Sequence, residues 1–259
     1  MSVDEDTTKK PDITTFYFPK MDLPIVLEPH NFYVAEARKR LLRQFDDIDG
    51  EAQEAGRLHL ERAGYYFDPD RDDPADAFEQ SYHEEYSHWL ALTEMHNSVI
   101  IALTAGVFHQ FDKTLREKVI KELRHWCDED IIEPLIWNIG FPRLMELLDW
   151  IGIPILGKDF AEKINACRLV VNVYKHGFGA AHNELLSKYP EYYDNNFSGF
   201  SAFRSAHQDL KVSEAQFIEF ANSIACFWRN IPEYCKSSQL GDDPKWLSEE
   251  IKKCKKRSL

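Results

Sequence analysis

Apolar residues recur at spacings of three and four along most of this chain. From Phe32 to about Gly64, Val34, Ala37, Leu41, Phe45, Ile48, Ala52, Ala55 and Ala63 share one side, with charge between them. That spacing predicts an amphipathic helix, capped by Asn31 and weakened locally by Gly50 and Gly56. The polar stretch FDPDRDDPAD then marks a turn. A second helix follows, capped by Asp73 or Asp76, and no proline interrupts the chain from Ala75 until Pro134. Phe78, Tyr82, Trp89, Leu92, Val99, Leu103, Val107, Phe111 and Leu115 mark its apolar face, over many turns or over two segments with a kink near Gly106. The two helices are expected to form an antiparallel hairpin.

Upstream, FYFPKMDLPIVLEPHN is apolar but carries Pro19, Pro24 and Pro29, which predicts an extended path over a helical surface. Downstream, short helices are expected before Trp137 and at Arg143–Trp150. Another runs from Lys158 to His176 and stops at Gly177. Ala180–Lys188 reads as a short helix, and 190–211 as a long irregular connection. Ser213 and Gln216 open the last core helix as a capping box, with Phe217, Phe220, Ile224, Phe227, Trp228 and Ile231 on its apolar side. Pro244 starts a C-terminal helix that ends in KKCKKRSL. No alternating strand pattern or internal repeat stands out. The expected architecture is all-α, a helical bundle with a long hairpin. Residues 1–20 form a disordered tail and 21–259 a single helical domain.

Composition narrows the function. The 259 residues carry 44 Asp and Glu against 31 Lys and Arg, a net charge of -13, and 13% are aromatic. Aromatics at this frequency exclude disorder throughout. The surplus acid disfavours a protein that coats nucleic acid generically, while leaving room for a local basic site. No uninterrupted apolar run approaches the roughly 20 residues of a membrane-spanning helix, so no membrane partner is expected. The five cysteines have no CxxC pair and read as reduced thiols, so a cytoplasmic location is expected. No phosphate-binding, dinucleotide-binding or nucleophile-elbow motif is present.

Candidate chemistry centres on CRLVVNVYKHGFG, residues 167–179. Asn172 and His176 lie four apart on one helix face, and Arg168 lies a further turn back. Lys175 and His176 occupy the last turn, where the helix dipole favours cations. Such a histidine can handle a proton while the cations hold a phosphate. The plain alternative is a helix end with ordinary polar capping residues.

The stretch resembles the RNxxxH element of the HEPN superfamily of all-α nucleotide-binding and ribonuclease domains. Residues 95–119, MHNSVIIALTAGVFHQFDKTLREKV, resemble that family's long helix, and the likeness covers roughly residues 30–235. It implies metal-independent RNA cleavage at a homodimer interface, without a cofactor, in a bacterial defence or toxin–antitoxin setting. His176 would act as acid or base, and an Arg would stabilise the phosphorane-like charge. Asn172 and His176 match the family pattern, but Val171 stands where the family has Arg. Arg168 is the nearest substitute.

Further candidates are weaker in pattern. Arg204 and His207, in SAFRSAHQDL, sit in the polar connection and can enter the same site as substrate-binding residues beside Lys175. The aromatics Tyr189, Tyr192, Tyr193, Phe197, Phe200 and Phe203 either stack bases or pin the connection to the helices. Two Glu-x-x-His units, Glu85/His88 and Glu122/His125, have the form of di-iron ligands. On one helix, though, they would stand about 55 Å apart, and no metal site is expected. The basic tail holds Lys252, Lys253, Lys255, Lys256 and Arg257 around Cys254, whose thiol pKa such a setting can lower. Three functions follow. The first is an RNA-binding or RNA-cleaving HEPN-like protein; the second is a catalytically inactive relative that binds a protein partner, as an antitoxin, immunity-type protein or complex subunit; the third and least favoured is a carboxylate-bridged metal protein.

Overall fold

The structure is a computed structural model and describes residues 12–193 and 207–257. The fold is all-α apart from two short strands. In chain order the elements are β1 (Thr14–Tyr17), α1 (Leu23–Arg40), α2 (Ile48–Gly64), α3 (Pro74–Leu123), α4 (Glu129–Asn138) and α5 (Phe141–Trp150). Then come α6 (Asp159–His176), α7 (Ala180–Lys188), α8 (Glu214–Asn230), β2 (Tyr234–Lys236) and α9 (Leu247–Arg257). The chain clusters into two compact units. Unit 1 comprises 1–30, 108–165 and 222–259, and unit 2 comprises 31–107 and 166–221.

In unit 1, β1 pairs antiparallel with β2, with Phe16 opposite Cys235. Residues 14–18, within the span 1–20 expected to be a tail, are therefore structured, while residues 1–11 lie outside the described residues. Phe16 and Phe18 are buried, and the Trp126 indole N–H donates to the Thr15 carbonyl at 2.8 Å. Four residues suffice for this strand because Phe16 within it and Phe18 just after it supply the apolar anchorage. Phe18 stacks on Trp228, and Phe111 meets Phe141, Phe227 and Trp228 at ring-centroid distances of 5.0–6.1 Å. Arg116 is buried at the end of α4. It donates to the carbonyls of Ile136 and Ile139 and pairs with Asp112, so its charge meets carbonyls that the helix end leaves without partners.

The prolines of the second apolar stretch behave differently from expectation. The segment from Leu23 is helical, with Pro24 in the first turn, where its missing N–H costs nothing. Pro29 sits inside α1. It gives up the hydrogen bond to the Ile25 carbonyl, and Ile25 is exposed, where water can serve that oxygen. The single helix expected over 32–64 is instead interrupted. After Arg40 the chain makes a 3-10 turn at Leu42–Phe45, and α2 restarts at Ile48. Asp47 causes the restart, because its carboxylate accepts from the Gly50 N–H at 3.2 Å and caps the new helix.

In unit 2 the hairpin of α2 and α3 is antiparallel. Ser81 Oγ donates to the Gly56 carbonyl, the Trp89 indole donates to Asp49, and His96 stacks on Phe45. Partners on one helix advance as those on the other recede. α3 is one helix of 50 residues, about 75 Å at 1.5 Å per residue. It runs unbroken through Gly106, whose role is close approach. A Cβ there would stand 2.2 Å from the Tyr33 hydroxyl, which donates to the Leu103 carbonyl at 3.2 Å. α3 also contains an 18-residue window that is apolar enough, by length and composition alone, to cross a membrane, and 28% of it is buried. Asn97 of α3 anchors unit 2: its amide donates to the Leu210 carbonyl and its oxygen accepts from the Val212 N–H. The capping box at Ser213 and Gln216 is formed in both directions, at 3.2 and 2.8 Å.

Candidate functional site

The C-terminal turns of α6 carry the residues singled out by sequence. The helix ends as expected at Gly177, whose φ of +66° is a conformation that favours glycine. Lys175 and His176 are exposed in the last turn, and Asn172 is half-buried. Val171 is 1% exposed and faces the apolar interior with Leu169, Val170 and Val173. A guanidinium at that position would be buried without a partner, so the valine belongs to the packing of this helix.

Arg168 is not a free substitute. Its side chain is largely buried, and one Nη lies 3.5 Å from Glu184 of α7. Glu184 also accepts from Lys188 at 2.9 Å. The Lys188 ammonium first, and then Arg168, hold the Glu184 carboxyl below its ordinary range. The carboxylate thus engages both cations and holds Arg168 toward α7.

The structure also gathers a cluster only partly legible in the sequence. His207 lies against Gly177. A Cβ on that glycine would stand 3.2 Å from the His207 ring, so the residue that ends α6 also makes room for the imidazole. The His207 ring meets His182 edge-on at 6.4 Å between centroids. His182 is buried, and its Nδ1 lies 2.8 Å from the Tyr193 hydroxyl. Burial, and secondly the nearby His207, hold the His182 pKa below the ordinary imidazole value. Burial pushes the Tyr193 phenol up to about 12. The bond between them is therefore neutral at physiological pH, donated by the phenol or the imidazole according to the tautomer.

Tyr193 and Leu210 form an isolated antiparallel bridge, and the Lys211 N–H donates to the Tyr192 carbonyl at 2.9 Å. The two ends of the 190–211 connection are thus held together beside the histidine cluster. Tyr192 is fully buried and stacks on Phe220. That matches the pinning role for Tyr192 and Tyr193, two of the three tyrosines of the aromatic group. Arg204, Phe197, Phe200 and Phe203 lie outside the described residues.

His207 is thus brought to the end of α6, while Arg168 is diverted to α7. His182 was missed. The available signal was its spacing from Leu185: three apart on a nine-residue helix, both are buried. The Glu-x-x-His units are engaged separately. Glu85 packs by Gly56, whereas Glu122 accepts from Lys118 and from the Tyr17 N–H. Among the described residues, no three His, Cys, Asp or Glu side chains are grouped to hold a metal ion. Cys254 is buried, and Lys253 of the basic tail donates to Glu250. The side chains of Lys255, Lys256 and Arg257 lie outside the described residues.

No family model, no curated protein and no solved structure matches this chain.

Proposed function

We propose that this chain is a HEPN-like helical protein that acts by binding a protein partner, without the phosphodiesterase chemistry of that superfamily's active members. The observation that carries this reading is the fate of the cation. Val171 is sealed into the interior of unit 2, and Arg168 is neutralised by Glu184. In-line attack on a phosphodiester builds negative charge, and a site that does not supply a cation there loses its largest source of stabilisation. His176, Asn172 and the exposed Lys175 can bind an anion, but none of them stands at the position of the motif's Arg. The net charge of -13 points the same way, because it repels a polyanion. In the setting implied by the resemblance, such a module would serve as an antitoxin, an immunity-type protein or a complex subunit.

A direct test incubates purified protein and the His176→Ala variant with a single-stranded RNA. No cleavage by the parent above the level of the variant is expected. Cleavage by the parent that vanishes in His176→Ala would overturn the reading.

A second reading is favoured by one observation, the proximity of His182 and His207. Two imidazoles, one held neutral, can divide acid and base roles on RNA. Cleavage that survives His176→Ala and is lost in His207→Ala would select it.

A further inference from the structure

We infer that the exposed aromatic stripe on the first half of α3 is a docking face for a basic, amphipathic helix of a partner protein. This deepens the protein-binding reading above by naming the face and the chemistry of its occupant.

The stripe is a continuation of the helix's own core face. Eighteen residues are five full turns of an α-helix, so residues 18 apart lie on the same side. Tyr82, Tyr86 and Trp89 therefore sit directly in line with Ile100, Thr104 and Val107. The second set is 3%, 0% and 0% exposed, against 65%, 53% and 38% for the first. Phe78, one turn before Tyr82, extends the stripe and is 63% exposed. No residue from 74 to 99 is buried. α2 meets this half of α3 through Gly56 at Ser81 and through Asp49, which accepts from the Trp89 indole at the stripe's edge, and leaves Phe78, Tyr82 and Tyr86 exposed. A row of aromatics in register with a core, and uncovered, has the anatomy of a helix-in-groove site.

Charge selects the occupant. Residues 41–100 hold 15 Asp and Glu against 4 Lys and Arg, a balance of -11 in a chain whose total is -13. α3 carries no Lys or Arg until Lys113, while Asp76, Glu79, Glu84, Glu85 and Glu94 lie along its first half. A second copy would bring the same acid to the face and be repelled, and so would a nucleic acid. A helix with apolar residues at three-and-four spacing, flanked by Lys or Arg, matches both the aromatic row, flanked by Glu79 and Glu85, and the acidic charge of this half of α3.

The test uses the full chain and two synthetic peptides of 21 residues, both made of Leu and Lys. One places Leu at heptad a and d positions; the other scrambles the same composition. Calorimetry is expected to show binding of the heptad peptide that weakens with added salt, with the scrambled peptide bound at least about tenfold less tightly. The Phe78→Ser/Tyr82→Ser/Tyr86→Ser variant alters only exposed positions and is expected to keep the parent's helical signal while binding at least about tenfold less tightly. Tyr82→Lys, a single change, is expected to weaken binding as well. Equal binding of both peptides, or unchanged binding by these variants, overturns the inference. So does a parent dimer in sedimentation that the triple variant abolishes, which gives the face to a second copy. Binding of an oligouridylate that the triple variant loses gives it to nucleic acid and likewise overturns it. RNA cleavage lost in His176→Ala would defeat the non-catalytic reading but leave the peptide result standing, so the two failures are distinguishable.

Discussion

Two stretches of α3 within unit 2 have the same periodicity and opposite fates. Around Ile100–Val107 the apolar face is enclosed. Asn97 ties the helix to Leu210 and Val212, and Tyr33 reaches the Leu103 carbonyl across Gly106. Around Phe78–Trp89 the same face carries larger, aromatic side chains and is open. The difference lies in what other parts of the chain bring to the helix, not in the helix itself. Each covered turn is paired with a specific long-range polar contact that fixes a neighbour in place. The open turns have such contacts only toward α2. An apolar stripe thus says where a partner must lie, while the distant polar anchors say whether this chain provides it.

The largest effect that would break this comparison comes from placing one acid on each stretch. Ile100→Asp buries an unpaired carboxylate and is expected to cost more than about 4 kcal/mol, enough to unfold unit 2. Tyr82→Asp, five turns earlier on the same face, is expected to stay within about 1 kcal/mol, since that side chain is exposed. Urea midpoints measured on the two variants decide it. Similar losses would mean that the open stripe is covered within the chain after all.

A smaller effect tests the close approach at Gly106. In Gly106→Ala the new methyl meets the Tyr33 hydroxyl, and neither helix can yield freely. A loss of about 1–3 kcal/mol is expected. Tyr33→Phe removes the offending oxygen, and alanine is the better helix former by about 1 kcal/mol, so the double variant is expected to return to within about 1 kcal/mol of the parent. Thermal melts of the four proteins give the cycle. Absence of rescue would show that the glycine serves something other than Tyr33.

These pairs also mark how far the sequence could be read. Local rules did well where local chemistry decides. α7 spans Ala180–Lys188 as its spacing predicts, Gly177 ends α6, and the capping box opens α8. They did less well where a partner distant in sequence decides. Pro29 looks like a helix breaker, yet α1 carries it at the cost of one hydrogen bond on an exposed side. Thr14–Tyr17 has no strand pattern worth the name, and becomes a strand because Cys235 and its neighbours lie beside it more than 200 residues later. At the candidate site, the helix-end position of His176 was legible from Gly177. The diversion of Arg168 depends on a carboxylate 16 residues away, and the burial of His182 on a tyrosine across the next loop. Neither leaves a mark at fixed spacing.

The smallest expected effect belongs to the enclosed part of unit 2 and concerns acid. His182 is held below its ordinary pKa of 6.5, first by burial and second by His207. As pH falls, the unfolded chain therefore binds the proton before the folded one does. The unfolding free energy must then decline as pH drops from about 6.5, and the contribution is fully present above that value. His182→Gln removes the titration, so the parent is expected to lose more stability than this variant between pH 7.5 and 5.5, measured as a difference in urea midpoint. Groups that do not interact with His182 are common to both proteins and cancel in the comparison. His207→Gln separates the two causes. If burial dominates, the acid sensitivity shrinks in that variant but persists; if it disappears, the histidine pair itself is the source.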